Sequence, residues 1–121
     1  MIVVAIMSVL AAIALPSYNE YMLKGKLAEA MALLSDLQLR QEQYYQDNRT
    51  YANGMTPRAA GQVFTNTSCA YRAGDTQTYT CTATAPTLNY TYTVTESGAK
   101  TTTPPSGPAV NCWLKGSGSA C

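Results

Sequence analysis

The hydrophobic residues of this chain are concentrated at its start. Residues 2–15 read IVVAIMSVLAAIAL, with Ser8 as the one polar side chain, and the first charged side chain is Glu20. A membrane-spanning helix needs roughly 20 apolar residues at a rise of about 1.5 Å each. The remainder of the chain has too few apolar side chains to surround this run as a core helix. The pattern favours membrane insertion, and a truncated secretory signal peptide is the alternative.

A helical pattern continues beyond the apolar run. Apolar side chains recur at three- and four-residue intervals, at Leu27, Met31, Leu34 and Leu37. Most charged residues of this stretch fall elsewhere on the helical wheel, so an amphipathic helix is predicted. Asn48, followed by Asn53 and Gly54, is typical of a helix end. A single helix to about residue 47 would be on the order of 70 Å long, more than a small domain covers, so part of it must protrude.

Two residues near the middle of this helix interrupt its regularity. Pro16 removes a backbone donor and clashes with the preceding turn, and Gly25 is conformationally loose. We expect the helix to kink or melt locally between them. A helix that simply ends at Pro16 is the alternative.

Beyond Tyr51 the pattern changes to an alternation with a period of two. One alternating stretch has Tyr79, Cys81 and Ala83 between threonines, and the next has Leu88, Tyr90, Tyr92 and Val94. Such alternation predicts strands with one buried face. Two glycine-containing pairs, Gly74-Asp75 and Ser97-Gly98, predict the turns. The preceding segment, 52–68, reads as a loop with a short strand near Val63 and Phe64.

These elements predict an α+β fold, in which a long N-terminal helix packs on a small antiparallel sheet of about four strands. We expect an apolar half of the helix at 1–25 and a globular domain at 26–121. Within that domain, the amphipathic half of the helix extends to about residue 48 and a loop covers 49–68. The sheet covers 69–103, and a disulfide-closed loop covers 112–121.

Cysteines are confined to the second half of the chain. There are four, Cys69, Cys81, Cys112 and Cys121, and the sequence contains no histidine. Zinc sites usually combine cysteine with histidine or use closely spaced cysteine pairs, and neither pattern occurs here. Disulfides formed in an oxidising compartment are therefore expected.

The first predicted hairpin suggests how the cysteines pair. Folding the chain about Asp75 places Arg72 opposite Thr78 and Cys69 opposite Cys81. Directly opposed residues have Cβ atoms about 4.5–5.5 Å apart, near the separation that a disulfide needs. The register predicts a Cys69–Cys81 bond. By elimination, Cys112 would then pair with Cys121 and close the loop CWLKGSGSAC.

Composition narrows the possible functions further. The net charge is +1, and the charges are spread singly, so no polybasic groove is indicated. There is no histidine base, nucleophile elbow, phosphate-binding glycine loop or paired carboxylate site, so we expect no enzyme activity, cofactor or metal. A DNA-contacting strip remains a candidate role for the cations on the β domain, which are Arg49, Arg58, Arg72, Lys100 and Lys115. The near-neutral composition favours the other interpretation, that these are ordinary solvated charges.

The stretch from MIVVAIMSVLAAIALPSYNEYM to YYQDNRTYA resembles the N-terminal helix of type IV pilins, with an apolar run, a proline, a Ser-Tyr pair and an alanine-rich amphipathic continuation. The words YYQDNRTYA and YTVTESGAK and the pair Cys112-Trp113 are similar to a branch that includes minor pilins and a DNA-uptake pilin.

The resemblance implies a structural subunit of a type IV pilus that supports adhesion, twitching motility or DNA uptake. Before assembly it would sit in the bacterial inner membrane with its domain in the periplasm, and it would then join an extracellular filament of like subunits. The implied partners are membrane lipid, the inner-membrane assembly machinery, a prepilin peptidase and, for an uptake pilin, DNA. The expected filament-core side chains are those of Ile2, Val3, Val4, Ile6, Val9, Leu10, Ile13 and Leu15.

In one respect the sequence departs from the family pattern. Type IV pilins carry a leader ending in glycine and a mature start like Phe-Thr-Leu-Ile-Glu, whose new amine is methylated, and we expect the present sequence to begin just after that glutamate. Two alternatives to a main pilus subunit stay open. One is a minor pilin acting as a DNA-uptake receptor or at the filament tip, and the other is a secreted β domain behind a truncated signal peptide. Thr101–Thr103 beside Pro104 are candidate sites for O-linked sugar.

Overall fold

The chain folds into one long helix and one small sheet. The computed structural model describes residues 1–116 and 121, with the side chains of all of these except residues 16 and 17. The elements are α1 at Ile2–Asn48, β1 at Asn66–Arg72, β2 at Asp75–Thr84, β3 at Thr91–Thr95 and β4 at Lys100–Thr103. The strands form an antiparallel sheet in the order β1-β2-β3-β4. The predicted α+β fold, with a long helix on a small antiparallel sheet, is confirmed.

Helix α1 runs through residue 16 without ending, so the alternative of a helix end at Pro16 is wrong. It ends close to the predicted position. There Arg49 adopts a left-handed conformation with φ of 62°, and its N–H donates to the carbonyl of Tyr45 at 2.7 Å. This single bond is the αL form of helix termination, in which the left-handed residue turns the chain out of the helix.

The second half of α1 provides one side of the core. Leu27, Leu34 and Leu37 are wholly buried, as is Ala30, whereas Met31, expected in the same row, is only partly buried. Each fully buried leucine contributes roughly 1.5–3 kcal/mol through removal of its apolar surface from water. The first α1 side chains to reach the core are Leu23 and Leu27, near the predicted boundary at residue 25. The division into 1–25 and 26–121 stays a prediction.

The inner face of the sheet provides the other side of the core. The alternation in β2 and β3 has the predicted sense, because the tyrosine, valine, cysteine and alanine side chains are buried and the threonines between them are not. Phe64, from the loop before β1, makes an edge-to-face contact with Tyr92 at 5.6 Å between ring centroids. Aromatic pairs in this geometry contribute about 0.5–1.5 kcal/mol beyond their buried area.

The first hairpin has the predicted register at the cysteines but not at the turn. Cys69 lies opposite Cys81 and is bonded to it, as predicted. Arg72, however, pairs with Asp75 and not with Thr78, and an irregularity in β1 between Ala70 and Arg72 absorbs the shift.

The turn of this hairpin consists of residues 73 and 74, not of Gly74 and Asp75 as predicted. Ala73 and Gly74 have φ values of 55° and 77°. Positive φ at both central residues is the type I′ arrangement, whose twist matches that of the flanking strands. The preference for this tight turn, together with a bulge, explains why the ladder near the turn differs from a simple fold about Asp75.

Two other local predictions were wrong. Val63 and Phe64 form no strand, because their N–H groups both donate to Glu29 Oε1, at 3.0 and 3.2 Å, in place of a neighbouring strand. Strand β3 begins at Thr91 and not at Leu88. Asn89 has φ of 58° and its N–H donates to the carbonyl of residue 85 at 2.8 Å, so the chain is still turning at this point.

The C-terminal segment lies along β4 and the core. Val110 forms an isolated bridge with Thr102. The Thr102 hydroxyl donates to the carbonyl of Cys112 at 2.6 Å and accepts from the N–H of Leu114 at 3.0 Å. Cys112 is bonded to Cys121. Residues 117–120 of the predicted loop lie outside the described residues.

One buried polar side chain joins the end of the helix to the following loop. Gln41 is wholly buried. Its Nε2 donates to the carbonyl of Ala52 at 2.8 Å, and its Oε1 accepts from the N–H of the same residue at 2.9 Å. The buried amide therefore satisfies both backbone groups of the half-buried Ala52.

Replacing Gln41 by alanine should lower the free energy of unfolding by about 1–3 kcal/mol, because it leaves a backbone donor and acceptor without partners. Thermal unfolding of the full chain in mild detergent measures the change. Gln43 is exposed on the same helix, and its alanine variant should stay within about 0.5 kcal/mol of the parent. Equal losses at the two positions would contradict this role for Gln41.

Candidate functional site

The apolar run on α1 is uncovered in the folded chain. The eight side chains expected to form a filament core are 54–77% exposed: Ile2, Val3, Val4, Ile6, Val9, Leu10, Ile13 and Leu15. The helix is long and apolar enough to cross a membrane, with mean hydropathy 1.9 in its most apolar window, and none of that window is buried within the chain. Soluble core helices and signal sequences can match this length and composition too, but a core helix would be mostly buried.

The one polar side chain of this run is satisfied within the helix. Ser8 Oγ donates to the carbonyl of Val4 at 2.7 Å, one turn earlier. Such a bond removes the cost of placing a hydroxyl in lipid or against another helix. Ile2, Ala5, Ile6, Val9 and Leu10 line a shallow apolar depression on one side of the run. The surface offered is apolar, with small and large side chains interspersed.

The stretch between Pro16 and Gly25 remains helical in the structure. A side chain added at Gly25 would meet no other atom within 4 Å, so packing does not explain the glycine. The side chain of residue 16 lies outside the described part of the chain. Kinking or melting of this stretch therefore stays a prediction.

A second candidate surface lies at the end of the sheet that carries the turns at residues 73–74 and 96–99, here called the turn end. The end of α1 is fixed against it by three hydrogen bonds. Tyr45 Oη donates to Gln77 Oε1 at 3.0 Å, Gln77 Nε2 donates to the carbonyl of Arg49 at 3.0 Å, and Tyr51 N–H donates to the carbonyl of Thr76 at 3.0 Å. These bonds place Arg49 beside the start of β2.

Tyrosine rings support this end from inside. The Tyr51 ring lies 4.8 Å from that of Tyr45 and 4.6 Å from that of Tyr79, between centroids. Burial raises the pKa of Tyr79, and the nearby Glu42 carboxylate raises it further. The pKa of Tyr51 is raised by the same two causes. Both phenols are thus neutral at physiological pH, and both rings are part of the core. For Tyr79 this agrees with the buried face that the alternation predicted.

Three of the five candidate DNA-contacting cations lie at the turn end. Arg49 follows α1, Arg72 ends β1 and Lys100 begins β4. Because the four strands form an antiparallel meander, the end of β1 and the start of β4 lie at the same end of the sheet. All three residues are exposed. A phosphate group that approaches the turn end can therefore reach these three residues from solvent.

The two other candidate cations lie elsewhere. Arg58 lines a groove with Asp36 on the helix. Lys115 is next to Gly116, and Gly116 lies against the side chains of Glu20 and Lys24 on α1. Glu20 is 25 residues before Tyr45, which at the helical rise is about 37 Å along the axis. The five cations considered as candidates for one DNA-contacting strip are therefore spread over separate regions of the chain.

Lys100 is positioned by an aromatic ring. Its Nζ lies 4.3 Å from the centroid of the Trp113 ring, within the range of a cation–π interaction. Trp113 is itself held, because its Nε1–H donates to the carbonyl of Thr93 at 2.9 Å. Trp113 of the Cys112-Trp113 pair noted in the sequence thus orients the Lys100 ammonium.

Arg72 is partnered by an acid that sequence reasoning missed. Glu96, in the β3–β4 turn, forms a two-pronged ion pair with the Arg72 guanidinium: Arg72 Nη1 lies 3.1 Å from Glu96 Oε2, and Arg72 Nη2 contacts Oε1. Partial burial alone would raise the pKa of Glu96, but hydrogen bonds from backbone N–H groups and Arg72 lower it below its ordinary value. In an antiparallel meander the β1–β2 and β3–β4 turns lie at the same end of the sheet. The opposite charges of Arg72 and Glu96 beside these turns could therefore have predicted the ion pair.

The outer face of the sheet carries hydroxyl groups instead of charges. Ser68, Thr82, Thr93 and Thr101 lie opposite one another across all four strands. The Thr93 and Thr101 hydroxyls are hydrogen bonded to each other. In the part of the sheet that the structure describes, this row offers a phosphate hydroxyl groups and no cation, so the candidate electrostatic contacts lie at the turn end.

Comparison with known proteins finds similarity to pilins and fimbrial proteins. The family model described as type IV minor pilin ComP, DNA uptake sequence receptor, matches residues 16–112. A fimbrial protein of Moraxella nonliquefaciens is 39% identical over 61 residues, which are 50% of this chain and 40% of that protein. The type IV major fimbrial protein FimA of Dichelobacter nodosus (strain VCS1703A) is 38% identical over 63 residues, 52% of this chain and 38% of its own length.

A further fimbrial protein of Dichelobacter nodosus is 45% identical over 63 residues, 52% of this chain and 39% of that protein. The chain thus spans about two fifths of the length of the curated relatives that it matches. No solved structure gives a significant match.

Proposed function

The chain belongs to the type IV pilin family, in the branch described as type IV minor pilin ComP, DNA uptake sequence receptor, and we propose that it is a structural subunit of a type IV pilus that polymerises through the apolar half of α1. The observation that carries this proposal is the uncovered apolar run, none of whose most apolar window is buried within the chain. A surface of this kind needs lipid or other apolar helices around it.

The same surface would serve two states in turn. Before assembly it lies in the inner membrane, with the disulfide-bonded domain in the periplasm, where such bonds form. In the filament, like helices replace lipid around it, and the subunit becomes extracellular. This change exchanges one apolar environment for another, so it needs no covalent chemistry. The pilus assembly machinery and a prepilin peptidase are the partners we propose, and the pilin relatives support a structural role and not an enzymatic one.

Mass analysis and negative-stain microscopy of sheared surface filaments test this role, in cells with the gene intact and deleted. We expect the chain in the filament fraction. Loss of filaments on deletion would make it the main subunit, and persistence of filaments with this chain scarce would make it a minor pilin. A chain found only in the periplasm with its N-terminus near Tyr18 would contradict the proposal and favour the signal-peptide alternative.

DNA contact at the turn end is a second candidate function. It is supported by the matching family, which is described as a DNA uptake sequence receptor, and by the exposed cations Arg49, Arg72 and Lys100 at one end of the sheet. Cations bind phosphate by displacing condensed counterions, which makes such binding dependent on salt. With a net charge of only +1, the affinity would come from this local grouping and not from the overall charge.

Replacing Arg49 and Lys100 together by alanine should weaken binding of a short DNA duplex about tenfold at roughly 50 mM salt. The salt slope, which is the slope of the logarithm of the binding constant against the logarithm of the salt concentration, should become shallower by about two, one for each lost phosphate contact. Fluorescence anisotropy of labelled duplex with the full chain in detergent measures both quantities. Arg58→Ala is the matched control, because it removes a cation far from the turn end. If Arg58→Ala weakened binding as much per charge, contact at the turn end would be refuted.

A further inference from the structure

The ion pair at the turn end joins the ends of the two hairpins. Glu96 follows β3 and Arg72 ends β1, 24 positions apart in sequence. Strand β2 lies between them in the sheet. Glu96 Oε2 also accepts from the N–H of Tyr79, on β2, at 3.3 Å. The carboxylate is therefore attached to the sheet independently of the arginine.

The two partners differ in their exposure. The Arg72 side chain is 50% exposed and the Glu96 side chain is 18% exposed. Glu96 is therefore the more fixed partner, because its contact with the Tyr79 N–H does not depend on Arg72, and Arg72 is the partner that solvent reaches more. Ion pairs as exposed as this one contribute little net stability, so a competing anion can open them.

A carboxylate that accepts two hydrogen bonds from a guanidinium uses the same N–H groups that a phosphate would use. Both anions present two oxygens to the parallel N–H groups of arginine. We propose that Glu96 acts as an internal substitute for phosphate, which competes with the DNA backbone for Arg72 and so holds the arginine away from DNA. The inference rests on the proposed DNA contact at the turn end and identifies a residue that lowers the affinity of that contact.

Such a restraint reduces the contribution of Arg72 to binding. Each phosphate contact that Arg72 makes must first break the contact with Glu96, and the freed carboxylate then repels the DNA. Removing the negative charge of Glu96 should therefore add one effective phosphate contact. The salt slope reports the number of contacts made, so it separates a released arginine from a general change in charge.

Glu96→Gln is the direct test, because glutamine keeps an oxygen for the Tyr79 N–H but loses the charge. We expect duplex affinity at roughly 50 mM salt to rise about fivefold and the salt slope to steepen by about one. Arg72→Ala should have little effect alone, and in the Glu96→Gln background it should abolish the gain.

The matched control is Asp75→Asn, in the same hairpin. Asp75 accepts from the N–H of Gln77 at 2.9 Å, and asparagine keeps that bond. This variant also removes one negative charge but releases no arginine, so the salt slope should be unchanged. Circular dichroism establishes that each variant is folded, and Glu96→Ser provides the same test if the glutamine variant unfolds.

The outcomes separate this inference from the proposal on which it rests. If the parent binds DNA and Glu96→Gln behaves like Asp75→Asn, the restraint by Glu96 is refuted and the DNA contact stands. If Arg72→Ala alone weakens binding by as much as the loss of a full phosphate contact, Arg72 is not restrained, and the inference is again refuted. If neither the parent nor any variant binds duplex, the proposed DNA contact fails, and this inference fails with it.

Discussion

Replacing Cys69 and Cys81 together by alanine is expected to lower the free energy of unfolding by about 3 kcal/mol, as predicted for closing a loop of this size in the unfolded chain. The two residues are 12 positions apart and bonded, and both are wholly buried. They lie opposite each other in the sheet, so the bond also fixes the β1–β2 register. A domain with so small a core has a total stability of only a few times this value. Thermal unfolding of the full chain in detergent, with and without reductant, measures the loss.

The second bond supplies the control for this prediction. Cys121 is exposed, and Leu114 is held independently of this bond, because its carbonyl accepts from the Tyr92 hydroxyl. Opening the bond between Cys112 and Cys121 would free the exposed Cys121 in the folded state as well as in the unfolded state, so the net loss should be smaller. Non-reducing peptide mapping of the parent should recover Cys69 joined to Cys81. Equal losses from the two double variants would contradict a special role for the buried bond.

The parts of this fold that sequence predicted well depend on repeated local patterns. The helix from the apolar run to Asn48 follows from the three- and four-residue spacing of apolar side chains, which needs no knowledge of distant contacts. The alternation around Cys81 and Tyr92 likewise fixes which face of each strand is buried. The opposition of Cys69 and Cys81 was predicted from a fold about Asp75, and it holds in the structure because the irregularity between Ala70 and Arg72 offsets the earlier turn at residues 73 and 74.

The features that sequence did not predict depend on contacts between distant residues. Glu29 accepts from two backbone N–H groups more than 30 positions later, and this contact replaces a predicted strand. Ala73 is not a residue that signals positive φ, so the two-residue turn was hidden. The pairing of Arg72 with Glu96 required both hairpin turns to be placed at one end of the sheet. Burial of Gln41, a polar residue on the core face, required the position of Ala52.

The candidate surfaces differ in the same way. Exposure of the apolar run was predictable, because nothing else in the sequence is apolar enough to cover it. The candidate DNA strip was considered because of residue charge and the resemblance to a DNA-uptake pilin, and neither fixes where the cations lie. As a result, three cations lie at the turn end, while Arg58 and Lys115 lie elsewhere.

A lysine in the middle of the apolar run should have the largest effect on the proposed assembly. Val9 is 61% exposed on the helix, so Val9→Lys leaves the fold of the globular domain unchanged. Placing a lysine at the centre of a membrane helix costs about 2.5–3.5 kcal/mol, and valine in its place is slightly favourable. Retention in the membrane should therefore fall about a hundredfold, since each 1.4 kcal/mol is a factor of about ten. Quantitative fractionation of membranes and sheared filaments measures the retention and the incorporation.

The same substitution on the second half of the helix tests whether position matters. Leu39 is also exposed, at 59%, but lies beside the globular domain, and Leu39→Lys should leave membrane retention unchanged. Val9→Leu should behave like the parent, because only the charge is costly. If Val9→Lys entered membranes and filaments as the parent does, the apolar run would be neither the anchor nor the filament core. Another partner would then have to cover the apolar surface of the helix, because exposure of so large an apolar surface to water is unfavourable.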